Sequence, residues 1–333
     1  MMPLGKGAGD MDQSSSAEIT RFYRRFADEE VRGRSPLYEE LALGVADDMT
    51  IHDFLLTLPR EKRQPNLLFA ALRSLAGTPT GWRAFKQDVI ANRDRLRAVM
   101  LARSTQTNEP GRCATLLPAF AALSGPLALI EIGASAGLCL IPDRYAYDYG
   151  GDIVQPTDRR GDPPVFLCRA NAATPVPTAA PEIVWRAGLD LHPIDLGDPD
   201  ETAWLETLVW PEQTDRLARL QSAIAVARDD PPRVIEGDLR RDLAALAAEA
   251  PKGATLVVFH TAVLAYLPAA ERAEFVCSVG GLCDVWIANE GPRVLPEITA
   301  RAAPGPEHRY LLSLNGTPLA WTDPHGAALD WIG

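Results

Sequence analysis

Long apolar runs are absent. No stretch approaches the roughly 18 residues needed to span a bilayer, so the sequence predicts no transmembrane segment. Residues 1–16 are rich in Gly, Ser and Asp and have no apolar core, which argues against a signal peptide and predicts a disordered tail. Cysteine is scarce and scattered: five residues, at 113, 139, 168, 277 and 283, with no C-x-x-C pair and no His/Cys cluster. That pattern argues against a disulfide framework and a metal site, and predicts reduced intracellular thiols. Positive charge is in deficit, with 33 Lys and Arg against 44 Asp and Glu and a net charge of -11. The balance carries no specific nucleic-acid signal, argues against an anionic membrane surface, and is ordinary for a cytoplasmic protein. There is no internal repeat.

At 333 residues, 47% of them hydrophobic, the chain suffices for one large domain with an appendage or for two domains. Residues 17–124 read as a helical N-terminal region. Ile19, Phe22, Tyr23 and Phe26 recur at helical spacing over 17–31. Ser35-Pro36 starts a second helix, with Glu39 and Glu40 in its first turn. Thr50-Ile-His-Asp53 resembles a capping box for a third. Residues 65–76 and 80–103 give two more, the last with Trp82, Phe85 and Val89 in one stripe.

From residue 125 to 333 the texture becomes that of a doubly wound α/β domain, with short β-rich runs alternating with helical stretches. Strands are expected at 127–132, 182–189, 233–237, 255–260 and 284–289, and helices at about 201–228, 239–250 and 269–279. Asn315-Gly316 predicts a hairpin between 309–314 and 317–322, so the mostly parallel sheet should finish antiparallel. Residues 142–181, rich in Pro, Gly and Asp, read as a β-hairpin insertion. Tyr145, Tyr147 and Tyr149 share one of its faces, and 165–169 is available to pair with them.

The most informative stretch is Leu127-Ala-Leu-Ile-Glu-Ile-Gly-Ala-Ser-Ala-Gly137, where a buried strand ends in an acid and Gly133, Ser135 and Gly137 alternate after it. It predicts a tight turn leading into a helix, with glycines that let backbone approach a nucleotide-like ligand. The G-x-G-x-x-G fingerprint and the glycine-lysine of a phosphate loop are both missing, which argues against a dehydrogenase and against triphosphate binding. In an open parallel sheet, ligands bind outside the carboxyl ends of the strands. Those ends carry Glu131, Asp190, Gly237-Asp238, His260-Thr261 and Asn289-Glu290, with no lysine among them. Such a set suits a ligand with a ribose diol and an amine.

These residues resemble the motifs of class I S-adenosylmethionine-dependent methyltransferases. The resemblance implies a Rossmann-like fold from about Leu127 onward and S-adenosylmethionine as cofactor. Glu131, Gly133, Ala134, Ser135 and Gly137 would hold its methionine end, Asp190 its ribose, Gly237 and Asp238 its adenine, and His260 and Thr261 the methyl-transfer pocket. The missing Asn/Asp-Pro-Pro-aromatic signature points away from DNA or protein amides and towards a small-molecule acceptor. His260 is then the candidate base, with Glu290 or Tyr145 as helper. A non-catalytic nucleoside-binding or regulatory protein on the same scaffold is the alternative. Ser35-Pro-Leu-Tyr38, Thr105-Gln-Thr-Asn-Glu109, Glu131–Gly137, Asp143-Arg-Tyr-Ala-Tyr147 and Trp210-Pro-Glu212 look like a bacterial domain-of-unknown-function family (family 2332).

Several residues carry two readings. Gly133 and Gly137 also suit close packing, Asp190 a turn before Pro193, and Asp238 a helix N-cap. Asn108 or Glu109 suits a cap with Pro110 at the first helical position, or else Gln106, Asn108, Glu109 and Arg112 form a lid over the cofactor. His260 is either a satisfied core histidine or a base, and the tyrosine face is either hairpin packing or a substrate wall. The 53 residues from Gly137 to Asp190 exceed the usual crossover, and the insertion accounts for the excess.

Overall fold

A computed structural model describes residues 8–106, 108–157, 163–306 and 308–333. They fall into two units, one from Met1–Thr107 with Ala203–Leu217, the other from Asn108–Thr202 with Ala218–Gly333. No described helix is long and apolar enough to cross a membrane.

The first unit is helical: α1 (Ala8–Phe26, followed by a wider turn at Ala27–Val31), α2 (Pro36–Asp47), α3 (Met49–Leu56), α4 (Pro65–Ala76), α5 (Trp82–Ala91) and α6 (Arg93–Ala102). Helix α1 begins well inside the expected tail, and Ser16 is buried with its hydroxyl against His52 Nδ1. Residues 1–7 of that tail lie outside the described residues. Asp48, rather than Thr50, caps α3, because its carboxylate accepts the Thr50 and Ile51 N–H groups. The helix expected over 80–103 is interrupted at Asn92. The core is aromatic, with Tyr23, Phe26, Tyr38, Phe69 and Phe85 buried together with Trp204. Trp204 lies on α8 (Pro199–Leu208), which a break around Pro211 separates from α9 (Thr214–Asp229). Pro211 has no N–H to donate and turns Trp210 before it away from helical backbone, so the single helix expected over 201–228 is two. Glu212 accepts from Ser35 Oγ at 2.8 Å and from Leu37 N–H at 3.0 Å, joining two of the family-like motifs at the start of α2.

The second unit is mixed α/β, built on a mostly parallel sheet, nine-stranded among the described residues. Its strands are β1 (Leu127–Ile132), β5 (Arg169–Ala170), β6 (Ile183–Asp190), β7 (Val234–Glu236), β8 (Thr255–Thr261), β9 (Val285–Glu290), β10 (Tyr310–Leu314), β11 (Thr317–Thr322) and β12 (Ala328–Trp331). Their order is β5-β12-β11-β10-β9-β8-β1-β6-β7. Strands β7, β6, β1, β8 and β9 are parallel, and β9 to β12 form an antiparallel meander around the expected Asn315-Gly316 turn. Helix α7 (Arg112–Ala121) covers one face, where Phe120 meets Phe259. It therefore packs with the sheet, although it falls inside the region 17–124 expected to stand apart as helical. Helices α10 (Leu239–Ala247) and α11 (Ala269–Val279) cover the other face in a core containing Ile130, Ile132, Val258, Trp286 and Ala288.

The insertion holds a second sheet in which β2 (Ala146–Asp148) pairs antiparallel with β3 (Ile153–Val154) and parallel with β4 (Val165–Leu167). The hairpin expectation holds for β2 and β3, while β5 leaves the insertion to edge the main sheet beside β12.

Candidate ligand-binding site

Strand order reverses beside β1. From β1 the chain moves outward through β6 to β7, then returns to β8 and β9 on the other flank. In open α/β sheets ligands bind at such a reversal, outside the carboxyl ends of the two central strands, here Glu131–Gly133 and His260–Ala262.

The turn after β1 takes left-handed backbone at Gly133 (φ 69°), Ser135 (φ 52°) and Gly137 (φ 73°). Five of its N–H groups are taken up by the protein. Gly133 and Ala134 donate to Leu189 O (2.7 and 3.3 Å), Gly137 to Ala134 O (2.7 Å), Ser135 to Asp190 Oδ2 (2.8 Å) and Leu138 to Asn108 Oδ1 (3.0 Å). Asn108 Nδ2 also donates to Ala134 O at 3.0 Å, so one buried amide grips both sides of the turn. The space beside the glycines is filled by protein. A Cβ on Gly133 would lie 2.5 Å from Val263 Cγ2, and one on Gly137 2.7 Å from Pro232 Cγ. Packing and backbone sign, rather than ligand approach, explain both glycines. Nor does a helix follow: two short 3-10 turns, Leu138–Leu140 and Pro142–Arg144, stand in its place. Pro142 comes too soon after Gly137 for a regular helix to establish itself.

Strand alternation separates the candidate residues onto two faces. Ile130 and Ile132 face α10 and α11, so Glu131 faces α7. Thr261 also faces α7, since Arg112 Nη1 donates to its carbonyl and to its hydroxyl, both at 3.1 Å, while Arg112 Nε donates to Pro324 O at 2.9 Å. Asn289 pairs with Thr261 across the ladder and is fixed by Thr322, whose hydroxyl donates to Asn289 Oδ1 at 2.8 Å. Burial pushes the Glu131 carboxyl well above its usual range. The neighbouring Cys139 adds to the rise, Arg112 opposes it, and Asp190 adds again. Glu131 Oε2, Ser135 Oγ and Asn289 Nδ2 are buried without a protein hydrogen-bond partner, a costly condition that calls for a polar partner, whether water or a ligand.

His260 lies on the opposite face and is fully buried. Its Nδ1 meets Glu290 Oε1 at 2.7 Å, and its Nε2 accepts the Trp286 indole N–H at 3.0 Å. An indole nitrogen only donates, so the basic nitrogen of the ring is engaged and His260 is not available as a base. Glu290 is engaged as well, since its Oε1 also accepts the Val263 and Leu264 N–H groups at 2.9 and 3.0 Å. The Tyr145 helper role is corrected too: its hydroxyl donates to Leu138 O at 2.9 Å, and those of Tyr147 and Tyr149 donate to Pro142 O and Ala114 O. The tyrosine face is hairpin packing.

Asp190 holds the turn, its second oxygen accepting His192 N–H at 2.8 Å. Asp238 caps α10 and pairs with Arg240, whose guanidinium lowers its carboxyl to about 2. Gly237 N–H donates to Asp190 O, and a Cβ there would meet Leu189 at 2.6 Å. Ala134 fills the space over Gly188 in the same way.

The residues expected as a lid divide between the two units. Gln106 falls in the helical unit, whereas Asn108, Glu109 and Arg112 are buried supports of the sheet unit. Helix α7 starts at Arg112 with Gly111 at its cap, so Pro110 lies outside it, and Glu109 Oε1 accepts Gly111 N–H. Sequence reasoning placed Asn289 at a strand end without giving it a role as a buried donor, and missed Val263 as the residue over Gly133. For Asn289 the available signal was a polar residue closing the apolar run of β9.

Neither the curated proteins nor the solved structures contain a match to this chain. A family model does match it, over residues 20–331, and the chain belongs to that family, described as an uncharacterized protein conserved in bacteria (DUF2332).

Proposed function

We propose that the crevice between β1 and β8 binds S-adenosylmethionine and that the protein is a methyltransferase acting on a small molecule. The observation that carries this reading is the polarity of the turn. Five of its N–H groups are engaged by the protein, while Ser135 Oγ and Glu131 Oε2 are buried and unpartnered. A turn with most of its donors already engaged is a poor cradle for phosphate. Its remaining oxygens suit a ligand that brings donors, such as an ammonium and a ribose diol. Each Asp190 oxygen accepts one N–H and retains capacity for a hydroxyl. Asp238 is committed to α10 and Arg240, so the adenine amine is left to other groups.

The bound cofactor would supply an activated methyl group for in-line transfer, and the chain's part is to orient donor and acceptor and to exclude water. Glu131 is the ionisable group on the α7 face that could hold or take a proton, in place of His260. Isothermal calorimetry with S-adenosylmethionine and S-adenosylhomocysteine tests the reading: heat of binding to both is expected, and none with either on well-folded protein would sink it. The engagement of both His260 nitrogens favours a second reading, a nucleoside-binding protein without turnover. On that reading S-adenosylmethionine binds but is recovered unconsumed from incubation with a metabolite panel.

A further inference from the structure

The loop after β8 breaks three ordinary economies of folding within five residues. Ala262 adopts left-handed backbone at φ 58°; among the described residues only Ser135 and Asn315 are other non-glycines with positive φ. Such a conformation is unfavourable for a residue with a Cβ. Next, Val263 and Leu264 N–H are held by Glu290, a buried carboxylate that also takes His260 and leaves Oε2 without a partner. Finally the loop's 3-10 turn, Leu264–Tyr266, ends in a tyrosine that is 81% exposed, so its ring gains little from burial. Left-handed backbone and a buried carboxyl that accepts two of its amides define the loop, and what it displays is an aromatic ring in water. Local costs of this kind concentrate at functional sites. Ser135, on the other side of the crevice, shares the backbone strain. Leu191, just after Asp190 on the far flank of β1, is 57% exposed.

We propose that Tyr266 is a ligand-contact residue that stacks against a planar ring of the bound molecule, and that Glu290 is its positioning residue. Trp286 fixes His260, His260 and the two loop amides fix Glu290, and Glu290 fixes the loop that carries Tyr266; Val263 packs that loop against Gly133 of the turn after β1. The inference rests on the reading that the strand ends form the ligand site, but it does not need the ligand to be S-adenosylmethionine. An aromatic face recognises any flat π-system by stacking.

The test uses the full chain, as wild type, Tyr266→Ala, Tyr266→Phe, Glu290→Ala and Glu290→Gln, each checked for cooperative melting. Each is titrated with S-adenosylhomocysteine and screened by ligand-observed NMR against purine, indole and phenol. Tyr266→Ala is expected to weaken the planar ligands at least tenfold, and Tyr266→Phe to stay within about threefold, since the ring and not the hydroxyl makes the contact. Glu290→Gln, which keeps an acceptor for the loop amides, should bind like wild type. Glu290→Ala should bind like Tyr266→Ala, with faster amide exchange at Val263 and Leu264. If Glu290→Ala does not fold, the tyrosine pair alone decides. Planar fragments that bind through Tyr266, with no S-adenosylhomocysteine binding, would retire the cofactor reading and keep this one. Binding of any of these ligands that is indifferent to Tyr266→Ala, or no binding by any of them, would overturn it.

Discussion

Asp190 Oδ2 accepts the backbone N–H of Ser135 at 2.8 Å, tying the end of β6 to the turn after β1. A residue placed by sequence logic against a ribose is thus part of the structure that shapes the turn. Asp190→Ala is expected to destabilise the protein without ligand by about 1–3 kcal/mol, the cost of leaving such donors unpaired. Asp190→Asn, which keeps one acceptor oxygen, should cost less. Chemical denaturation of the three proteins checks this; an Asp190→Ala protein as stable as wild type would return the residue to a purely ligand-facing role.

Asn108 makes a stronger prediction because both ends of its amide are used. Asn108→Ala removes the bonds to Ala134 O and from Leu138 N–H together and is expected to cost about 2–4 kcal/mol. Asn108→Asp keeps the acceptor but turns a carboxylate oxygen towards the Ala134 carbonyl, so it should be no better than alanine. Urea midpoints, with unchanged slopes, would show both effects.

Gly133 and Val263 should be coupled. Gly133→Ala forces a Cβ into left-handed backbone and against the valine, and a loss of about 2–4 kcal/mol is expected. Val263→Ala opens that space. The double variant should therefore be more stable than the sum of the single losses by about 1 kcal/mol or more. A cycle measured by thermal and denaturant unfolding that proves additive would place the strain in the backbone alone.

Two carboxyls give opposite pH signatures. Burial raises the folded-state pKa of Glu131, so its neutral form is favoured in the fold. Stability from this group is complete below the usual carboxylate range and is lost as pH rises above it. Glu131→Gln should cancel that decline, so its melting temperature should gain on wild type as pH rises above the usual carboxylate range. For Asp238 the shift is downward, to about 2, so its contribution is present at neutral pH and lost as pH falls from about 4 towards 2. Asp238→Asn keeps the helix cap and removes the acid dependence. The neutral-pH cost should be small, because Arg240 is half exposed.

Much of the scaffold was legible. Strands β1 and β11 and helices α4 and α11 fall within the expected bounds, and Asn315-Gly316 does form the turn. Apolar runs between turn signals, a Ser-Pro helix start and a type-specific dipeptide are local, and local signals survive folding. The site was less legible because its geometry is not local. Leu256-Val-Val-Phe-His260 is apolar throughout, as buried parallel strands are, so no alternation reveals which face His260 takes. Its pairing with Ile132 and its ring contact with Phe275 of α11 assign it to the α10 and α11 side. The acids at the strand ends were found correctly as positions, but the sequence does not reveal that Asp190 and Asp238 would serve backbone amides first. The missing helix after Gly137 did have a signal in Pro142, outweighed by the pattern before it.

One edge of the main sheet sets a timetable. Strand β5 pairs with β12, and Asn171 bonds both the N–H and the carbonyl of Trp331, 160 residues later. At roughly 5–20 residues per second of synthesis, the end of the insertion waits on the order of ten seconds or more for its partner to leave the ribosome. Over that interval residues 169–171 have no β12 to pair with. The nascent chain therefore depends on whatever shields that segment, and ribosome-bound intermediates halted before residue 328 should be the aggregation-prone species of this protein.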